Sequence, residues 1–184
     1  MGSLQAVTND MRVSMDSVRK HSDVIKRLIH CTEIMPVEGD NHEVLQILDM
    51  TCGVDYYAKN SEGIVFAVAS RFQKDCAWNT FTIRAKRESG AKTEYEKRTA
   101  AIKRGAEYPH LTMQGYVDMD GELESLAIAR TEDIFECIEN GNYYTQHTRS
   151  DKDGQALFYV VSWDTMKQLG YHVNRYQRDG VNKR

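Results

Sequence analysis

The strongest constraint on the fold comes from residues 64–72, which read IVFAVASRF. The run is nearly continuous in apolar residues and follows Asn60-Ser61-Glu62-Gly63, a sequence typical of a turn. A strand buried on both faces gives such a run, whereas a strand with one solvated face alternates apolar and polar residues. We therefore predict a central strand over Ile64–Phe72, in a sheet that is covered on both sides.

Two further strands and a helix are predicted beside this run. Val54–Ala58 and Thr80–Ala85 carry the β-branched and aromatic residues that strands favour. Thr93 can cap a helix that runs to about Arg104, with acidic residues in its first turn and Gly105 at its end.

The remainder of the chain alternates helical and strand patterns. Apolar spacing predicts helices over residues 14–31 and 41–53, separated by a loop from Glu33 to Asn41 that contains Pro36. Later elements are a hairpin (111–117 with 123–129), a helix from Thr131, a second hairpin (143–148 with 156–163) and a short helix (165–169). The predicted class is α+β, with a mixed central sheet flanked by helices.

Length and composition predict one domain over residues 1–184. We expect residues 1–12 to be frayed, residues 41–117 to form the core, and residues 118–184 to extend the same domain with β-hairpins. The four cysteines form no CxxC pair, which argues against structural zinc and favours reduced thiols in a cytoplasmic protein. No apolar run is long enough to predict a membrane span.

Positive charge is concentrated between Arg84 and Arg104. This segment holds eight basic and three acidic residues, a local balance of +5, which leaves −8 for the rest of a chain whose net charge is −3. A basic segment on an acidic protein is either a docking face for phosphates or a solvated helix and turn.

The predicted order of elements, together with the position of Asp55, resembles the PD-(D/E)xK nuclease superfamily over about residues 41–117. The resemblance implies a restriction-endonuclease-like α-β-β-β-α-β core with Asp55 on its first strand. It also implies hydrolysis of nucleic acid, DNA in the first place, with Mg²⁺ or Mn²⁺ held by carboxylates. Members of this size often act as dimers, so the resemblance also implies a homodimer.

The second strand departs from that family's pattern, because Ala67 and Ala69 stand where an acid and a lysine are expected. The next two residues along the same face are Arg71 and Gln73, and glutamine replaces the lysine in some members. Other members recruit the second carboxylate from the following helix, where this chain has Glu94 and Glu96.

The resemblance thus assigns catalytic roles to Asp55, Gln73 and Glu94. Asp55 and Glu94 are the expected metal ligands, with Glu43 and Asp49 in reserve, and Gln73 orients the attacking water. The expected phosphate contacts are Arg71, Arg84, Lys97 and Arg98.

Two alternatives stay open at this stage. The first is a catalytically inactive nuclease-like module that binds nucleic acid or a protein partner, with Tyr56, Tyr57, Phe72 and Trp78 serving as contacts. The second is ADP-ribosyl transfer, whose Arg, Ser/Thr and ExE elements are loosely similar to Arg71, Thr80 or Thr82, and Glu94-Tyr95-Glu96.

Overall fold

A computed structural model describes residues 13–37, 53–74, 78–150 and 154–179. The described helices are α1 (13–20), α2 (Ser22–Ile29), α3 (Glu94–Arg104), α4 (Thr131–Glu139) and α5 (Trp163–Gln168). The described strands are β1 (Cys31–Pro36), β2 (Tyr56–Asn60), β3 (Val65–Lys74), β4 (Thr80–Arg87), β5 (Leu111–Val117), β6 (Leu123–Arg130), β7 (Tyr144–Ser150), β8 (Gly154–Ser162) and β9 (Val173–Gln177). No helix in these ranges is long and apolar enough to cross a bilayer.

The strands form a six-stranded mixed sheet in the order β1-β2-β3-β5-β6-β9 and a three-stranded sheet in the order β4-β8-β7. The predicted α+β class with a mixed sheet is confirmed. Strand β3 occupies the interior of the larger sheet, between β2 on one side and β5 on the other. It runs parallel to β5, and β4 and α3 form the crossover that a parallel pair requires.

Two apolar cores cover the two faces of the six-stranded sheet. One is packed under α1 and α2, with Val18, Ile25 and Val68 among its buried residues. The other lies between the two sheets and helices α4 and α5, around Phe81 and Trp163. Strand β3 is buried on both faces at Ala67, Val68 and Ala69, as its apolar run predicted, whereas Val65 at its start is 49% exposed.

The sequence-based prediction of the N-terminal region is wrong in two respects. The helix does not continue to Cys31, because His30 adopts a left-handed conformation (φ 53°) and ends α2. Residues predicted as a loop form β1 and pair antiparallel with β2. Pro36 is tolerated there because β1 is an edge strand, where one missing N–H breaks no interior ladder.

The expectation of three adjacent strands in one core sheet also needs correction. Strand β4 pairs with β8 in the smaller sheet and with no strand of the larger one. Its residues Thr80 and Thr82 nevertheless bond across to β5, so the two sheets are joined by polar contacts. The predicted helix over 41–53 falls mostly on residues outside the described ranges.

Candidate functional site

The candidate site lies on the face of β3 that looks toward the smaller sheet. Arg71 and Gln73 project from this face, whereas the alternate residues Val68 and Phe72 belong to the core under α1 and α2. The N-terminus of α3 and strand β4 complete the site, which therefore joins both sheets and one helix.

Glu94, the first residue of α3, lies at the centre of a cluster of charged side chains that also contains Arg71, Arg84 and Arg98. Its Oε1 accepts a hydrogen bond from Arg71 Nη2 at 2.5 Å, and its Oε2 accepts one from the backbone N–H of Arg84 at 3.3 Å. Arg71 also donates from Nη1 to the Thr82 carbonyl and hydroxyl oxygens, at 3.2 and 3.3 Å. These contacts fix α3 against β3 and β4.

The surrounding charges keep Glu94 ionised. Burial of its carboxyl group alone would raise the pKa, but attraction to Arg71, Arg98 and Arg84 and a backbone hydrogen bond outweigh burial and lower the pKa to about 2. At neutral pH the side chain is therefore a carboxylate among three guanidinium groups.

Arg98 on α3 lies close enough to the two carboxylates that the sequence singled out to be attracted to both. Its side chain is attracted to both Glu94 and Asp55, although burial lowers its pKa from the usual value. The residue is only 6% exposed, and its Nη2 donates weakly to the Gly53 carbonyl oxygen at 3.5 Å. Within the described ranges, its buried Nε has no hydrogen-bond partner.

Asp55 stands immediately before β2 and is half-buried. Its backbone N–H donates to Val68, and its Oδ2 accepts from the Ser70 backbone N–H at 2.5 Å. Continuing the β2–β3 register places Asp55 opposite Ala69 and on the Arg71 face of the sheet. The small side chain of Ala69 therefore lies beside the carboxylate, where the family pattern would have an acidic or basic group.

Gln73 belongs to a buried amide network that sequence reasoning missed. Its Oε1 accepts from Gln114 Nε2 at 3.3 Å, and Gln114 Oε1 accepts from the Thr82 hydroxyl at 3.0 Å. Gln114 is 1% exposed, in the middle of β5. A glutamine inside the apolar strand sequence LTMQGYV is the signal that could have revealed it, because buried amides need partners.

The remaining predicted phosphate contacts occupy different environments. Arg84 places its guanidinium 5.3 Å from the centre of the Phe158 ring, and Arg71 does the same. Lys97 lies half-buried on α3, one residue before Arg98.

Glu96 has a helix-capping role. It accepts from the backbone N–H of Thr93 at 2.8 Å, while the Thr93 hydroxyl accepts from the Glu96 N–H. This capping box confirms Thr93 as the N-cap, and Gly105 ends the helix as predicted. Glu94 and Glu96 therefore face different partners despite their closeness in sequence.

The aromatic residues that were predicted as contacts for nucleic acid or a protein partner differ in their exposure. Tyr56 and Phe72 are buried in the core, which excludes them from stacking on a base. Trp78 is 51% exposed and remains available for such a contact. Glu43 and Asp49, the reserve ligands, lie outside the described residues.

The site therefore combines three guanidinium groups with two carboxylates and has a formal charge of +1. No group of three or more histidine, cysteine, aspartate or glutamate side chains within the described ranges is arranged to hold a metal by itself. Searches of protein-family models, curated proteins and solved structures gave no match to this chain.

Proposed function

We propose that this protein hydrolyses phosphodiester bonds in nucleic acid, DNA in the first place, with the help of Mg²⁺ or Mn²⁺. The observation that carries the proposal is geometric: Asp55 lies on the same face of the sheet as Arg71, whose Nη2 contacts the carboxylate of Glu94 at 2.5 Å. Asp55 and Glu94 are the two carboxylates that the resemblance to PD-(D/E)xK nucleases assigns to the metal. Arginine beside the two carboxylates is the mixture of charges that a metal-assisted phosphoryl site requires.

The donor chemistry of the cluster fits Mg²⁺. This ion takes hard oxygen ligands and is usually held by one or two carboxylates, with water and substrate phosphate completing the shell. Asp55 and Glu94 would supply the carboxylates, and the low pKa of Glu94 keeps that group in the form that binds metal. When bound, the ion would activate water and offset charge on the phosphate.

Gln73 would orient the attacking water. Its Oε1 is fixed by Gln114, while its amide N–H groups have no partner among the described residues and can donate. A glutamine amide is a weak base, so its role is to position the water rather than to take its proton.

The basic residues would hold the substrate. The side chain of Arg71 is 22% exposed, and its planar guanidinium suits bidentate contact with a phosphate. Arg84 and Lys97 would add positive charge from β4 and α3. Arg98, being buried, would act mainly by holding Asp55 and Glu94 in place.

A specific observation favours a second function, binding of nucleic acid without cleavage. Both oxygens of Glu94 already accept hydrogen bonds, from Arg71 and from the Arg84 backbone. If Arg71 keeps that contact when substrate binds, Glu94 is not released to a metal. Ala67 and Ala69 also leave β3 without a carboxylate of its own.

Cleavage of a mixed pool of labelled DNA in Mg²⁺, Mn²⁺ or EDTA distinguishes the two functions. The proposal expects metal-dependent products that EDTA abolishes and that Asp55→Asn loses. Asp23→Asn, on helix α2, is the matched control and should cleave like wild type. Metal-independent binding with no products under any metal would support the binding module and overturn the hydrolase.

We further expect the protein to be cytoplasmic. We also expect it to work as a homodimer, because a duplex presents two strands to cut. Size-exclusion chromatography with light scattering gives the mass directly. A strictly monomeric protein that still cuts both strands would contradict the dimer.

A further inference from the structure

A cavity lined mainly by residues with polar side chains lies near the Arg71–Glu94 pair, between the two sheets. Its volume is about 130 Å³, and it is lined by Gln73, Trp78, Thr80, Thr82, Tyr116 and Gln146. Since one water needs roughly 10–15 Å³ by this measure, the space is large enough for a small organic group. No ionisable acid or base other than the Tyr116 phenol lines it, so it favours a neutral ligand.

Two side-chain amides in the wall, those of Gln73 and Gln146, carry N–H groups that bond to no other side chain or backbone group among the described residues. In the part of the chain that the structure describes, the Gln146 amide has no partner, and Gln73 uses only its oxygen. The Tyr116 hydroxyl is committed to Thr80, at 3.0 Å to the carbonyl oxygen. The cavity therefore presents donors and an acceptor to a ligand whose edge carries both.

Trp78 supplies an aromatic surface at the same cavity. About half of its surface is exposed, although tryptophan is among the residues that gain most from burial. An indole next to free amides matches a flat heterocycle that stacks on one side and forms hydrogen bonds at its edge.

Thr82 connects this cavity to the Arg71–Glu94 pair. Its side chain lines the cavity, and its oxygens accept from Arg71 Nη1. A neutral, aromatic and amide-lined space thus adjoins a cationic site through one residue. A nucleotide has the same two parts, an uncharged base and an anionic phosphate.

We infer that the cavity binds one unpaired nucleobase of a strand whose phosphate lies against the Arg71–Glu94 pair. The inference rests on the proposed function and specifies its substrate as nucleic acid with at least one unstacked nucleotide. A base inside a duplex cannot enter such a cavity unless it is unpaired and rotated out, which costs free energy. Single strands, loops and frayed ends are therefore the preferred substrates.

Fluorescence anisotropy in EDTA tests this without cleavage. The probes are a labelled 20-nucleotide single strand, the same strand in a duplex, and a strand of equal length in which every nucleotide is abasic. We expect wild type to bind the single strand at least about tenfold more tightly than either other probe, as loss of one stacked base predicts.

Two variants locate the effect. Gln146→Leu and Trp78→Leu should each weaken single-strand binding by about tenfold and leave duplex binding unchanged. Gln155→Leu, at an exposed position on β8, is the control and should change neither. Circular dichroism confirms that each variant is folded.

The outcomes separate the inference from the proposed function. Equal binding of all three probes, or an unchanged preference in both cavity variants, would overturn the nucleobase site while leaving phosphate binding intact. Failure to bind any probe would reject the proposed function and the inference together.

Discussion

Replacing Glu94 by glutamine removes the carboxylate to which three guanidinium groups are attracted. The change is nearly isosteric, so packing of α3 against β3 and β4 is preserved and the effect is electrostatic. Arg71, Arg84 and Arg98 then repel one another, with Asp55 as the one carboxylate left in the site. Removing one partner of this partly buried ion pair is destabilising, because the remaining charges stay in a region of reduced solvation.

The size of the effect follows from the pKa of Glu94. A fall from the ordinary 4.5 to about 2 corresponds to about 3 kcal/mol of stabilisation, at about 1.4 kcal/mol per pH unit. Because the pKa is lower in the folded state, this stabilisation is fully present above pH 4.5 and is lost as the pH falls toward 2. Glu94→Gln should therefore unfold about 3 kcal/mol more easily than wild type at pH 7, with the difference shrinking below pH 4.5.

Urea denaturation followed by circular dichroism at pH 7, 5, 4 and 3 measures this difference. Urea is uncharged and leaves the ion pairs unscreened, unlike guanidinium. Glu62→Gln, in the exposed turn before β3, is the control and should match wild type throughout. The electrostatic reasoning would be refuted if the free energies of unfolding of wild type and Glu94→Gln differed by less than about 1 kcal/mol at pH 7. It would also be refuted if the difference were the same at pH 7 and pH 3.

Three other changes have defined outcomes. Gly115→Ala should destabilise the fold by about 1–3 kcal/mol in urea melts, because a Cβ there would lie 2.3 Å from the Phe72 ring. Adding Phe72→Leu to this variant should recover part of the lost stability. Thr93→Ala should cost about 1 kcal/mol by removing the α3 cap, whereas Thr93→Ser should cost much less, and equal losses would argue against capping. The Tyr108 phenol should titrate near pH 12 by NMR, because burial and a hydrogen bond to Glu132 raise its pKa, and an unchanged midpoint in Glu132→Gln would contradict that contribution.

Elements set by local signals were predictable from the sequence. Thr93 and Gly105 bound α3 because a capping hydroxyl and a residue tolerant of positive φ are needed at those two points. The hairpin of β5 and β6 follows from two strand-like runs around an Asp-Gly turn. These features depend on a few neighbouring residues.

Features set by distant partners were not predictable. Strand β4 has strand-forming residues, but the choice of β8 as its partner depends on residues that lie 69 to 82 positions further along the chain. The local pattern and Pro36 predicted helix and loop where the structure has β1. The segment forms a strand because pairing with β2 outweighs its intrinsic preference.

The candidate site was anticipated only in part. The sequence singled out Asp55, Arg71 and Glu94 by analogy with a strand order. In the structure Arg71 pairs with Glu94, and the β2–β3 register places Asp55 on the same face of the sheet as Arg71. The bonds of Gln114 to Thr82 and Gln73 could not be inferred, since three strands from two sheets must first be placed.

The central claim is that Asp55 and Glu94 serve metal-dependent hydrolysis, and its most direct test is a single-turnover cleavage rate in Mg²⁺. The substrate is a labelled strand that is paired over half its length, and the enzymes are wild type and Asp55→Asn at equal folded concentration. We predict a Mg²⁺-dependent rate that falls at least about 100-fold in the variant, because a metal contributes several kcal/mol to such a transition state. Cleavage at the wild-type rate by Asp55→Asn, or no cleavage by wild type in any metal, would contradict the claim.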